Sequence, residues 1–287
     1  MIIFFMHITC QKPPAATTEW PQIKRIAICA DDFGMNHGID DGILELSGMG
    51  RLSAVSCLGQ GPTLMANAKA LKSLPVDIGL HLNFSEPIGD NPQQRPLPRL
   101  IVECYLRRVQ KTALVAGIET QLDAFEQTFG CAPDFIDGHQ HVHQLPVIRD
   151  GLVDVINRRY PGRSLWLRST SPCPVPASCR MKARIIAALG AGAMQRLAQG
   201  NGIRMNHRLL GVYDFRAGRE LYREYLAAWF REARDGDLLM CHPAKTASAG
   251  DVIGPQRCRE FAVFSDMAFQ DLLDGESVLV SRLSQCV

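Results

Sequence analysis

The stretch Arg25-Ile26-Ala27-Ile28-Cys29-Ala30-Asp31-Asp32-Phe33-Gly34 is an apolar run that ends in two carboxylates and a turn. An uninterrupted run of this kind reads as a buried strand of a parallel sheet, covered on both faces. Adjacent carboxylates cannot both face inward from a regular strand. Asp31 and Asp32 therefore mark its end, where the backbone turns at Phe33-Gly34. Downstream the same strand-and-helix unit recurs. A helix is expected over 38–47, closed by glycines 48 and 50, then a strand over 53–58, a helix over 62–74 and a strand over 76–82. Residues 84–99, rich in Pro, Gly and Asn, read as a long loop of the kind that often carries function. Helices near 100–111 and 116–129 follow, then a strand over 134–143, a helix over 146–159 and a strand over 164–168. A Pro-rich loop at 171–177, a long Ala-rich helix to about 199, and segments at 209–213, 219–233, 237–241, 268–273 and 277–280 complete the series. This alternation implies an α/β fold on a largely parallel sheet, and about seven strands without a two-half division favour an irregular barrel. No G-x-G-x-x-G or Walker-type loop follows the first strand, which disfavours a nucleotide-binding version.

Three of the eight histidines fall at every second position of Asp137-Gly138-His139-Gln140-His141-Val142-His143. In an extended strand, Asp137, His139, His141 and His143 would form one polar row. Such a row is costly to bury dry and well suited to a divalent metal. A lone histidine would read as a satisfied core residue, but a cluster points to a metal or catalytic site. The other unusual polar residues also end strands: Asp31 and Asp32, His81, Arg168 and His242. The carboxyl ends of barrel strands ring one mouth, so five strands deliver acids, imidazoles and a guanidinium to one place. One carboxylate with His81 and His139 would supply an oxygen and two nitrogens and leave positions for water and substrate. The other carboxylate would be free to act as a base.

Composition narrows the class. At 287 residues the chain is long enough for one large α/β barrel, and its formal charge of +2 is too mild to argue for nucleic acid or an anionic membrane. The ten cysteines are scattered, and Cys29, Cys57 and Cys241 sit in apolar runs, as small buried hydrophobes do. Reduced thiols and a cytoplasmic location are expected. Cys173 and Cys179 flank the Pro-rich loop without a spacing that argues for a disulfide or a metal. Residues 1–10 are apolar but too short to span a bilayer, and lack a basic segment and a clear cleavage site. Residues 1–23 read as a poorly ordered leader ahead of a single domain at 24–287.

Four motifs together are specific: Ala30-Asp31-Asp32-Phe33-Gly34, Ile78-Gly79-Leu80-His81-Leu82, the histidine row from Asp137, and Leu239-Met240-Cys241-His242-Pro243. With Arg257-Cys258-Arg259-Glu260-Phe261 they resemble, in order and spacing across about 24–282, the YdjC-like carbohydrate deacetylases. The resemblance implies a distorted TIM-like (β/α) barrel and a metal-dependent hydrolase that releases acetate from an N-acetylated amino sugar or oligosaccharide. It implies that Asp32, His81 and His139 hold one divalent ion (Mg2+ or Zn2+), that Asp31 is the general base, and that His242 is a candidate acid. It also implies a catalytic domain spanning 24–287 and, since many members dimerise, a homodimer as one expected assembly. The loop at Asn83-Phe84-Ser85-Glu86 departs from the Thr-rich continuation seen in relatives, and Gly138 stands where many of them carry serine.

Several roles stay open at this level. Asp137 is expected to orient a histidine, as carboxylates behind metal ligands do. His141 and His143 are expected to support the site or contact substrate, with His143 a candidate to replace or supplement His139. Arg168 would orient Asp31, bind substrate, or form a structural ion pair; His242 would donate a proton or only a hydrogen bond. His37 reads as a helix start and Trp166 as core. The competing functions are another metal-dependent amidohydrolase or phosphoesterase on the same barrel, and a non-catalytic carbohydrate-binding relative.

Overall fold

The computed structural model describes residues 22–89, 92–173 and 178–286. Most of the expected leader lies outside the described residues, as does much of the Pro-rich loop at 171–177.

The elements follow in this order: β1 (Lys24–Phe33), α1 (His37–Gly48), β2 (Ala54–Cys57), α2 (Leu64–Lys72), β3 (Asp77–Leu82), α3 (Leu97–Tyr105), α4 (Lys111–Phe129), β4 (Phe135–Gly138), a short 3-10 helix (His139–Gln144), α5 (Ile148–Arg159), β5 (Trp166–Leu167), α6 (Arg180–Ala188), α7 (Ala191–Gly200), β6 (Arg204–Met205), β7 (Leu209–Leu210), α8 (Arg219–Glu232), β8 (Leu238–Cys241), α9 (Gly254–Phe264), α10 (Ala268–Gly275), β9 (Val278–Val280) and α11 (Leu283–Cys286). Every strand pairing is parallel. The sheet runs β6-β5-β4-β3-β2-β1-β8-β7, with β9 paired to the start of β1. The α/β fold expected from the alternation is present as a curled sheet, with nine strands among the described residues rather than about seven.

β1 is the longest strand and lies between β2 and β8, which explains its apolar run: every residue from Ile26 to Phe33 is buried. The two edges of the sheet approach each other through the chain beyond β5. Pro172 bridges to Leu209 of β7, and the Asn206 side chain bonds the backbone of Ser169 on both sides, Oδ1 accepting at 2.7 Å and Nδ2 donating at 3.2 Å. The barrel is therefore irregular where strands of two residues are helped by a side chain that mimics a strand partner.

Three expected elements differ. The single Ala-rich helix is two, α6 and α7, because the chain breaks at Gly190, whose φ of 147° and close approach to the Gln144 carbonyl exclude a side chain. The helix near 100–111 ends at Tyr105, before Arg107 takes a positive φ. Between the segments expected at 237–241 and 268–273 the chain forms a further helix, α9, from Gly254 to Phe264. Among the described residues, no helix is long and apolar enough to cross a membrane.

Trp166 is core: its ring stacks on Phe135 with centroids 4.1 Å apart. Phe135 pairs in register with Gly79 of β3, and a Cβ at Gly79 would come within 2.4 Å of that ring. Gly79→Ala should cost about 1–3 kcal/mol, the range for overpacking a filled core. Denaturant unfolding checks this; a change below about 0.5 kcal/mol would contradict the tight stacking.

Candidate active site at the carboxyl ends of the strands

Because all strands are parallel, their carboxyl ends open on one side, and the polar residues collect there. At the end of β1 the register with β2 slips between Ala30 and Phe33, and Asp32 adopts φ 71°. This bulge lets two consecutive carboxylates both turn inward, which a regular strand forbids. Asp31 and Asp32 are both buried. The turn is fixed from behind, where Asp40 of α1 accepts from the Gly34 amide at 2.7 Å and from Asn67 Nδ2 at 2.7 Å.

The two carboxylates have different partners. Asp31 is held by both ends of the Arg168 guanidinium, Nη1 to Oδ2 and Nη2 to Oδ1, each 2.6 Å. Arg168 has no exposed surface and also meets Asp137 Oδ2 at 2.6 Å and Cys29 Sγ at 3.0 Å. Burial leaves this arginine as an orienting group rather than a substrate contact. Asp137 in turn accepts from Ser56 Oγ at 2.5 Å and faces His81 Nδ1 at 2.7 Å. Burial opposes the charge of Asp137, but Arg168 and His81 outweigh it and hold the carboxyl well below the usual range.

Asp32 faces the other way. Its Oδ1 lies 2.9 Å from His139 Nδ1 and 3.3 Å from His81 Nε2, and its Oδ2 accepts from Arg257 Nη2 at 2.6 Å. Arg257 and His139 overcome burial and keep this carboxyl well below its ordinary value. Asp32, His81 and His139 each bring one ligand atom within 4.8 Å of the others. Burial pulls both imidazoles down, yet Asp137 and Asp31 beside His81, and Asp32 beside His139, push them up to about 10 and about 9. A buried oxygen-and-two-imidazole set that draws positive charge this strongly fits a divalent cation. Cys29, Asp31 and Asp137 also converge, but the Arg168 guanidinium fills the space between them.

The alternating histidine row is not a strand. β4 ends at Gly138, and His139–Gln144 coil into a 3-10 helix with Gln140 and His141 at positive φ. The coil packs onto Gly138, where a Cβ would sit 2.8 Å from the His143 amide nitrogen. The histidines therefore scatter instead of lining one face. His139 reaches Asp32; His143 Nε2 lies 3.0 Å from the Arg168 carbonyl oxygen, and burial pulls its pKa down to about 4. His141 is buried, which likewise lowers its pKa. Neither joins the converging set.

His242 follows β8 and places Nε2 3.9 Å from Asp31 Oδ2 and its ring edge-on to Phe215 at 5.1 Å. Burial lowers its pKa to about 4, so it is neutral at rest rather than a ready acid at neutral pH. Glu260 of α9 supports it, accepting from the His242 amide at 2.6 Å and from Tyr213 Oη. Three contributors carried no assigned role from the residues alone. Arg257 and Glu260 sit three apart on the unexpected helix α9, which points both at the site; Glu86, on the loop after β3, lies 3.3 Å from His139 Nε2. The i, i+3 spacing of Arg257 and Glu260 was the available signal; Glu86 offered none.

The family model described as YdjC-like protein matches residues 25–275. The chain belongs to the YdjC-like family. Over 137 residues it is 34% identical to the human carbohydrate deacetylase, covering 42% of this chain and 42% of that protein. Over 130 residues it is 30% identical to the chitooligosaccharide deacetylase of Proteus mirabilis (strain HI4320), covering 43% of this chain and 51% of that protein. The chain thus spans about half the length of the curated relatives it matches. A crystal structure of an Enterococcus faecalis V583 protein, named for cellobiose-phosphate cleavage, superposes with TM-score 0.64 over 91% of this chain and 98% of that one. At 19% identity that likeness shows the YdjC-like chain's fold.

Replacing Arg168 by Met should cost about 3–5 kcal/mol, because it strands buried carboxylates. In the native protein the depressed pKa of Asp137 adds stability above the ordinary carboxylate range near 4, lost only as pH falls through the lower folded value. Without the guanidinium that stability is gone at pH 7. The gap between the two proteins should therefore narrow from pH 7 toward pH 4, as the stranded carboxyls take up protons. Denaturant melts at both pH values check this; a gap independent of pH would contradict it.

Proposed function

We propose that this chain is a metal-dependent hydrolase that removes the N-acetyl group of an acetylated amino sugar or oligosaccharide, releasing acetate. The observation that carries the reading is the division of labour between neighbouring carboxylates. Asp32 faces His81 and His139, while Asp31, one residue away, is held apart from them by Arg168. A module that only bound carbohydrate or metal would have no use for that second, positioned carboxylate. The names of the human and Proteus relatives agree with the reading.

Asp32, His81 and His139 would hold the ion. A divalent cation there, magnesium or zinc, would supply the Lewis acidity that activates water and stabilises a tetrahedral oxyanion. The chain's own residues do the rest. Asp31 takes the proton of the attacking water at a carboxylate oxygen, with the Arg168 guanidinium fixing its orientation and Asp137 fixing Arg168. His242, neutral at rest, accepts a proton at Nε2 from the Asp31 side, 3.9 Å away, and delivers it to the departing amine. Phe215, packed edge-on against His242, covers one side of that imidazole. Ser56 and Asp137 engage His81 Nδ1, so that Nε2 faces Asp32.

An acetate-release assay on N-acetylated glucosamine oligomers, run across magnesium, zinc and other divalent ions, tests the proposal. Asp31→Asn should lower kcat by ~10²–10⁴ with metal content unchanged, and Asp32→Ala should lose both metal and activity. Full activity of Asp31→Asn, or acetate release insensitive to chelation, would sink it.

A further inference from the structure

The chain after β3 is pinned with unusual care for a surface loop. Gln121 of α4 reaches across, its Oε1 accepting from the Asn83 amide at 2.8 Å and its Nε2 donating to the Asn83 carbonyl at 3.0 Å. Asn83, itself buried, then folds the loop back on itself. Its Oδ1 accepts from the amides of Ser85 and Glu86, both at 3.1 Å, and its Nδ2 donates to the Glu86 carbonyl at 2.8 Å. Arg95 adds a further tie through its amide to the Phe84 carbonyl at 2.9 Å. The backbone of Glu86 is thus fixed on both its N–H and C=O sides, independently of its own side chain.

That fixed backbone carries a carboxylate to one place. Glu86 Oε1 lies 3.3 Å from His139 Nε2 and accepts from Gln140 Nε2 at 3.3 Å. Both partners belong to the 3-10 helix that replaces the expected strand, and Gln140 is one of its two positive-φ residues. Non-glycine residues hold such a backbone only when their surroundings over-determine it. His139 meanwhile turns its other nitrogen, Nδ1, to Asp32 Oδ1 at 2.9 Å. Its ring is therefore hydrogen-bonded at Nδ1 by one carboxylate and faces a second, Glu86, at ion-pair distance from Nε2.

We propose that Glu86 is a positioning residue for His139, accepting the Nε2–H so that the ring keeps Nδ1, unprotonated, for a metal beside Asp32. The assignment rests on the reading of Asp32, His81 and His139 as the metal-holding set. The physical basis is general: a ligating imidazole takes its tautomer and orientation from the hydrogen bond made by its other nitrogen, and loss of that partner weakens metal binding about 10–100-fold. Glu86 suits the task because its side chain is partly exposed at the mouth while its backbone cannot shift.

The test is zinc affinity, measured by competition with a chromophoric chelator, for the full chain and for Glu86→Ala and Glu86→Gln. It is joined to histidine-selective 15N–1H spectra of the zinc-loaded proteins. Glu86→Ala should bind zinc about 10–100-fold more weakly and lose the signature of a protonated Nε2 at His139. Glu86→Gln, whose amide oxygen still accepts a hydrogen bond, should recover most of the affinity and keep that signature. Zinc affinity unchanged in Glu86→Ala, or Glu86→Gln as weak as Glu86→Ala, would overturn the positioning role. A native protein that binds no zinc, or binds it equally well after His139→Ala, would overturn the functional reading itself.

Discussion

A guanidinium with no exposure to water sits behind the strand ends, and its charge has to be met by the protein. Arg168 achieves this with Asp31, Asp137 and the Cys29 thiol, all within 3.0 Å. Removing an ion from water costs several kcal/mol even after relaxation, so neither carboxylate nor arginine could stay buried alone. Together they make a rigid plate from which the site is built outward. Asp137 passes its order on to His81, and Asp31 is presented toward His242. Asp32, supported by Arg257 from α9, is left facing two imidazoles. Two buried arginines answer Asp31, Asp32 and Asp137 in part, and the rest of their charge draws positive charge onto His81 and His139, where a cation would be held.

Backbone geometry at two points converts this balance into a usable site. The bulge at Asp32 turns consecutive carboxylates toward different tasks, which no regular strand could do. The 3-10 coil after β4 does the same for the histidines, sending His139 to Asp32 and His143 to the Arg168 carbonyl. Both distortions sit at carboxyl ends of central strands, where the flanking sheet is rigid enough to hold them. Site and strain coincide because the sheet supplies the restraint.

Much of this was legible in the sequence because apolar runs and their polar ends obey simple periodicity. The run from Ile26 to Ala30 is a central strand with covered faces, and Asp31, His81, Asp137, Arg168 and His242 do end up at one mouth because all the strands are parallel. What misled was the alternation of histidines. A period of two implies a strand only while the backbone stays extended, and Gly138 lets the chain coil back instead. Arg257 and Glu260 stood out only through the family resemblance, and their roles were hidden because half of the buried residues of α9, Gln256, Arg257 and Glu260, are polar. Glu86 was hidden because its position comes from Asn83 and Gln121, side chains from two other parts of the chain. Side-chain hydrogen bonds to loop backbone leave no periodic trace. The neutrality of His242 was equally invisible, since it follows from burial beneath its neighbours.

The central claim is that Asp32, His81 and His139 form the metal seat while Asp31 stays free of it. Anomalous diffraction from crystals grown with zinc tests it most directly. The account predicts one strong peak in bonding contact with Asp32, His81 and His139, and none between Asp31, Asp137 and Cys29, where Arg168 already sits. A peak bonded to Asp31 in place of Asp32, or no peak at these strand ends, would contradict it.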